Sequence, residues 1–328
     1  MLSMLGVCLG LLLLIGGGTL LVRGASEIAE KLGISPMIVG LTIVGFGTSA
    51  PELVVNAMAA VRGETALAFG NVIGSNISNL GLILGIAAIL VPIHLRGVLV
   101  RREVPLLLLA TTMITVMALD GPLEGERSAV GHIDSIILIL MFCIFIYITA
   151  MDYIRSKASD QLLFDIEQHP RIATAADGRV SWLLILAGFA LLFTGGELTV
   201  RNGVALAELF GVSSTVVGLF VVAIGTSMPE LVTTIIAALR RESDLALGNI
   251  IGSNIFNSLF VLPVSGLIAA IPTPPGGITD LVVSWLFAAT LIPIFVFRNA
   301  TLGRAMGVVF VLVYLAYATF RVLAHESP

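Results

Sequence analysis

The chain has 328 residues, of which 57% are hydrophobic and 12% charged, and its mean hydropathy is +1.07. Soluble domains carry about 25% charged residues, so this composition lacks the polar side chains a water-facing surface needs and excludes a soluble enzyme or a disordered chain. The formal charge of −4 also excludes a basic nucleic-acid footprint.

What remains is a polytopic, all-α membrane protein. At ~20 apolar residues per span, about ten helices fit with little left over. In chain order the apolar segments fall at 2–23, 35–61, 68–92, 103–119, 133–153, 180–202, 213–239, 247–271, 280–297 and 303–323. The run Leu9–Ile15 is not preceded by basic residues and continues through Gly16-Gly17-Gly18 into Leu20, so it predicts a first transmembrane helix rather than a signal peptide. Cys8 and Cys143 lie in separate apolar runs and suggest neither a disulfide nor a metal framework. The hydrophilic stretch Arg155–Arg179 divides the chain into residues 1–154 and 180–328, five spans each, joined by a loop over 155–179.

Lys and Arg set the orientation. With the N-terminus outside, Arg23, Lys31, Arg96, Arg101, Arg102, Arg155, Lys157, Arg171, Arg179, Arg240, Arg241, Arg298 and Arg304 face the cytoplasm. Only Arg62, Arg127, Arg201 and Arg321 face out. Both termini are therefore expected outside, with the 155–179 loop cytoplasmic, in a multi-pass protein of the cell (inner) membrane.

The chain matches itself without gaps at an offset of 178 residues, where residues 40–85 align with 218–263 and 25 of 46 positions are identical. Five spans separate an element from its copy. Five is odd, so the copies cross the membrane in opposite directions. Inverted repeats with Gly- and Pro-interrupted segments at matching places point to a secondary transporter with its site at the repeat interface.

Each copy carries one acid in the same heptapeptide: Glu52 in Gly47-Thr48-Ser49-Ala50-Pro51-Glu52-Leu53, and Glu230 in Gly225-Thr226-Ser227-Met228-Pro229-Glu230-Leu231. Each lies ten residues before an arginine, Arg62 or Arg240, that marks a membrane face. At ~1.5 Å per residue that is ~15 Å of depth, near the midplane of a ~30 Å core. An ionised carboxylate there needs a partner. No Lys, Arg or His stands at that depth, which makes a bound cation the simplest one. The four histidines lie at segment ends or in loops.

Oxygen donors surround the acids. Thr48, Ser49, Thr226 and Ser227 precede them on or beside the same helical face. Gly47 and Pro51 weaken the helix, which suggests carbonyls such as those of Gly45 and Ala223 as further ligands. The motif GNxIGSNIxN supplies Ser75 with Asn79, and Ser253 with Asn257, each pair one turn apart. Hydroxyl, amide, carbonyl and carboxylate oxygens without thiol or imidazole suit hard cations such as Ca²⁺ or Na⁺. Asn71, Asn76, Asn249 and Asn254 read as ties between neighbouring helices. Glu27 with Lys31, and Glu197 with Arg201, read as ion pairs at helix ends, and Arg101-Arg102-Glu103 as a solvated boundary.

The doubled GTSxPEL and GNxIGSNIxN motifs resemble the α-repeats of the cation/calcium exchanger (CaCA) superfamily, in particular the compact prokaryotic sodium/calcium exchangers, over nearly the whole chain. The resemblance implies an antiporter, not an enzyme. It implies Na⁺ and Ca²⁺ as transported ions with no cofactor, the lipid bilayer as environment, and no nucleic-acid or obligatory protein partner. It assigns ion binding to Glu52 and Glu230, with Thr48, Ser49, Thr226, Ser227, Ser75, Asn79, Ser253 and Asn257 around them. It further implies that the first and sixth helices slide past the remaining bundle. Relatives often carry Asp at one of the positions held here by Asn79 and Asn257, which removes a possible charge. The proton-coupled branch has a GNAxE-type motif where this chain has GTSxPE, which favours sodium. A proton/Ca²⁺ exchanger on the same scaffold is the alternative. A cation channel or a carboxylate-pair hydrolase fits the inverted repeat and the missing nucleophile less well.

Overall fold

The computed structural model describes residues 2–94, 100–124, 129–164, 178–209, 225–294 and 301–326. These residues form α1 (Leu2–Leu32), α2 (Pro36–Thr48), α3 (Ala50–Val61), α4 (Thr65–Leu90), α5 (Val100–Glu124), α6 (His132–Phe164), α7 (Gly178–Leu209), α8 (Met228–Leu239), α9 (Ser243–Ile268), α10 (Gly277–Ile292) and α11 (Arg304–Glu326). Two-residue strands β1 (Ile93–His94), β2 (Ala129–Val130), β3 (Ile271–Pro272) and β4 (Thr301–Leu302) connect helix ends. Seven described helices are each long and apolar enough to cross a membrane. α2 and α3 together make an eighth span, bent by 43°. α8 and α10 are shorter apolar helices. The first part of the predicted span 213–239 lies outside the described residues.

Polarity is arranged as a bilayer requires, with large apolar side chains outside and small polar ones within. Leu12, Ile133, Leu140, Leu183 and Leu312 are exposed. Serines, threonines and asparagines of α2, α3, α4, α8 and α9 are buried.

Several boundaries differ from expectation. The predicted span 35–61 is broken between Thr48 and Ala50. Ser49 sits at φ −86°, ψ 9°, and Pro51 in the next turn has no N–H to continue the helix. α6 continues to Phe164, so residues 155–164 are helical rather than loop, in a stretch with neither Gly nor Pro to stop it. Glu103 is fully buried in the first turn of α5 and paired with Arg102, not part of a solvated boundary. A helix N-terminus and a neighbouring guanidinium make that burial tolerable. Glu27 pairs with Arg23 at 2.9 Å, while Lys31 reaches across to the Ser181 hydroxyl at 2.7 Å. Among the described residues no ion pair joins Glu197 to Arg201.

Contacts between the two parts of the chain are reciprocal. β1 pairs antiparallel with β4, and β2 with β3, so each tiny sheet joins a segment before residue 154 to one after 180. Val91 and Pro92, just past α4, share one cleft with Arg241–Asp244 at the start of α9. The Phe69 ring, near the start of α4, lies against Gly277, beyond the end of α9. α4 and α9 therefore run antiparallel.

α1 and α7 pack against each other along their length, also antiparallel, through glycines spaced by seven. Gly10 faces Gly195 and Thr199, Gly17 faces Gly188 and Leu192, and Gly24 faces Ser181 and Ile185. A Cβ on Gly17 would stand 2.8 Å from the Gly188 carbonyl oxygen, so only glycine permits this approach. The buried apolar side chains fall into two clusters. One fills the bundle of α4, α5, α9, α10 and their neighbours. The other joins α1 and α7 to α2, to Ala237 near the end of α8 and to the start of α9.

Candidate ion-binding site

Glu52 and Glu230 each occupy the first turn of a helix, α3 or α8, that begins just after a backbone break at Ser49 or Ser227. The two breaks share one conformation, φ −86° with ψ 9° or 7°. A first-turn carboxylate sits where the helix dipole favours negative charge, which offsets part of the cost of burial. Both glutamates are fully buried, and they lie close enough to repel one another.

Among the described residues, three of their four carboxylate oxygens have no hydrogen-bond partner of good geometry: both of Glu52, and Oε2 of Glu230. Glu230 Oε1 accepts from the Ser49 hydroxyl at 2.8 Å and, more weakly, from Ser253 at 3.5 Å. Buried carboxylate oxygens left without a donor are costly, and among the described residues no basic side chain pairs with them.

The other predicted residues lie on the same buried stretches of helix. Thr48, Ser49, Ser75, Asn79, Ser227, Ser253 and Asn257 are all buried, and Thr226 is half-buried. Ser253 donates to the Gly45 carbonyl at 3.1 Å, and Ser227 to Ser75 at 3.2 Å. The Gly45 carbonyl keeps its helical bond from Ser49 N–H at 3.2 Å and also accepts from Thr48 at 3.2 Å. As an ion ligand it would have to share. Ala223 lies outside the described residues.

Asn79 donates to Asn254 Oδ1 at 2.8 Å, which leaves its own Oδ1 without a partner, and Asn257 has none on either atom of its amide. Asn76 and Asn254 act as the helix ties their position suggested. Asn76 donates to Ser258 at 2.9 Å, and Asn254 to the Asn76 carbonyl at 3.1 Å. Asn79 and Asn257 each open a π-helical turn, Asn79–Ile83 in α4 and Asn257–Val261 in α9. Such turns recur at functional sites because the extra residue re-aims a side chain. No sequence rule used above signals them.

Two further polar positions escaped the sequence reading. Asn56 and Thr234 lie one turn beyond Glu52 and Glu230 on the same faces and are fully buried. Their polarity within apolar runs at i+4 from each acid was the available signal. The site is assembled across the repeats. Ser49 reaches Glu230, and Thr48 reaches Asn249 and Ser253. In turn Ser227 reaches Ser75, and Thr226 reaches Asn71.

A family described as "Sodium/calcium exchanger protein" matches residues 2–151 and 180–323. The chain belongs to the sodium/calcium exchanger family. Among relatives of this family member, CaxA of Alkalimonas amylolytica, an antiporter by its name, is 41% identical over 80% of each chain. The sodium/calcium exchanger MaX1 of Methanosarcina acetivorans is 31% identical over 94% of this chain and 95% of its own. Among solved structures, the sodium-calcium exchanger NCX_Mj superposes with a TM-score of 0.81 at 28% identity, covering 97% of this chain and 98% of that one. The family is one of transporters, and the exchanger is a multi-pass helical membrane protein.

Proposed function

We propose that the protein is a secondary antiporter that moves Ca²⁺ against Na⁺ by alternating access, with both ions competing for Glu52 and Glu230. The observation that carries this reading is the buried carboxylate pair, which has no basic partner among the described residues and is surrounded by hydroxyl and amide groups from both repeats. One Ca²⁺ or a set of Na⁺ ions needs the same two charges, so the loads exclude one another. That exclusion suffices for exchange rather than co-transport. The names of MaX1 and NCX_Mj support Na⁺ and Ca²⁺ as the transported ions.

The architecture of this reading is ten spans in two inverted five-helix halves, residues 1–154 and 180–328, with both termini outside. The antiparallel α4 and α9 and the reciprocal strand pairs support inversion. The close backbone contact of α1 with α7 at Gly10, Gly17 and Gly24 supports movement of that pair as one body.

The test is Ca²⁺ uptake into Na⁺-loaded proteoliposomes diluted into Na⁺-free buffer. Uptake is expected to follow the sodium gradient and to fall at least 100-fold in Glu52→Gln and in Glu230→Gln, while both variants still reconstitute; the loss of a charged ligand at a buried site is worth about 3 kcal/mol or more. Normal exchange in either variant sinks the site assignment. Uptake that ignores sodium but follows an imposed pH gradient replaces Na⁺ by H⁺ as the coupling ion.

A further inference from the structure

Two asparagines outside the ligand set carry an inference of their own. Asn71 in α4 and Asn249 in α9 are equivalent under the 178-residue offset, and both are buried. Each accepts a hydrogen bond from the motif threonine of the other repeat. Thr48 donates to Asn249 Oδ1 at 3.1 Å, and Thr226 to Asn71 Oδ1 at 3.2 Å.

A threonine hydroxyl has one proton and two lone pairs. It can bind a cation only through a lone pair, with its proton directed elsewhere. An amide oxygen on the far side of the hydroxyl, neutral and fixed, is a suitable acceptor for that proton. We propose that Asn71 and Asn249 are positioning residues that hold the Thr226 and Thr48 hydroxyls in the cation-accepting orientation, each acting on the opposite repeat. This rests on the ion site proposed above.

The two sides are not equally braced. Asn249 Nδ2 donates to Thr234 at 2.9 Å and to the Glu230 carbonyl at 3.4 Å, which fixes the amide with its oxygen toward Thr48. On the other side Asn56 stands where Thr234 does. It turns its Nδ2 to the Glu52 carbonyl at 2.7 Å, and Asn71 Nδ2 has no hydrogen-bond partner among the described residues. Thr48 also lies 3.2 Å from the Gly45 carbonyl, 3.4 Å from the Ser253 hydroxyl and within reach of the Glu230 carboxylate, so its proton has rival acceptors that Asn249 must outcompete. Asn249 is accordingly the stronger determinant of the pair.

A double-mutant cycle on the reconstituted full chain tests this, with Ca²⁺ as the probe. Asn249→Leu keeps the branching and heavy-atom count of the side chain and removes the acceptor along with the Nδ2 donor; it is expected to raise the KM for Ca²⁺ about tenfold with little change in maximal rate, as for a lost hydrogen bond at a charged site. In a Thr48→Val background, which has no hydroxyl to orient, the same substitution should change KM less than twofold. Asn249→Asp, which retains an acceptor oxygen, should keep a KM no higher than the parent. Asn71→Leu with Thr226→Val forms the matching cycle, with a smaller effect. It decides the question if Asn249→Leu fails to fold by size-exclusion profile.

An unchanged KM in a folded Asn249→Leu protein, or an effect equally large without the Thr48 hydroxyl, overturns the proposal and leaves the exchange reading intact. Absence of any ion-gradient-driven Ca²⁺ flux in the unaltered protein instead overturns the reading on which it rests.

Discussion

At the scale of single residues, buried charge is tolerated wherever its partner is specified. Asp280 in the first turn of α10 accepts from Tyr317 at 2.7 Å and pairs with Arg321 of α11 at 2.9 Å. The acid therefore has its full complement of donors from one neighbouring helix. Asp280→Asn should lower thermal stability by about 2 kcal/mol, because it leaves Arg321 without its counter-charge, while the KM for Ca²⁺ stays within about twofold because Asp280 bonds Tyr317 and Arg321 and not a candidate ion ligand. Thermal unfolding in detergent beside the uptake assay separates the two effects. A large KM shift would show that the cluster belongs to the transport machinery. Glu52 and Glu230 contrast with it: among the described residues neither has a basic partner, so their burial lacks the compensation that Asp280 receives.

Among the elements, broken and bulged helices do the positioning. The α2–α3 break places Thr48, Ser49 and Glu52 around one point, and the π-helical turns at Asn79 and Asn257 turn amides inward. α2 lies on α9 through backbone contacts that glycine alone allows. A Cβ at Gly252 would stand 2.4 Å from the Leu41 carbonyl oxygen, with Leu41 Cα and C also under 3 Å away. Because backbone cannot swing aside as a side-chain tip can, Gly252→Ala should destabilise by about 2 kcal/mol and reduce flux, by separating Ser253 from Gly45. Gly16→Ala, whose nearest neighbour is Leu191 Cδ1 at 4.0 Å, is the comparison and should be close to neutral. Equal stability of the two variants would refute the tight α2–α9 contact.

For the whole molecule, inversion is a claim about sidedness and can be tested as one. α3 ends at Arg62 and α8 at Arg240, equivalent positions in the two repeats. The inverted reading puts them on opposite membrane faces. In a chain with Cys8 and Cys143 replaced, Glu64→Cys should react with an impermeant maleimide only from outside, and Arg240→Cys only from the cytoplasmic face. Labelling of both from one side would end the inverted reading.

The sequence by itself determined the class, the duplication and most of the polar residues that the structure buries around the two acids. Composition leaves a bilayer as the only solvent such a chain tolerates, and an acid repeated at midplane depth demands a partner whatever the detailed fold. Local pattern could not decide which repeat supplies each contact. Thr48 meets Asn249 rather than Asn71, and Ser49 meets Glu230 rather than Glu52, because antiparallel α4 and α9 bring distant segments together. Nor does an apolar run distinguish an α-helical from a π-helical turn, since both satisfy every backbone group and differ only in how the turn packs. The burial of Glu103 and the turn of Lys31 toward Ser181 were hidden for the same reason, since a charge's partner is set by what packs beside it in three dimensions.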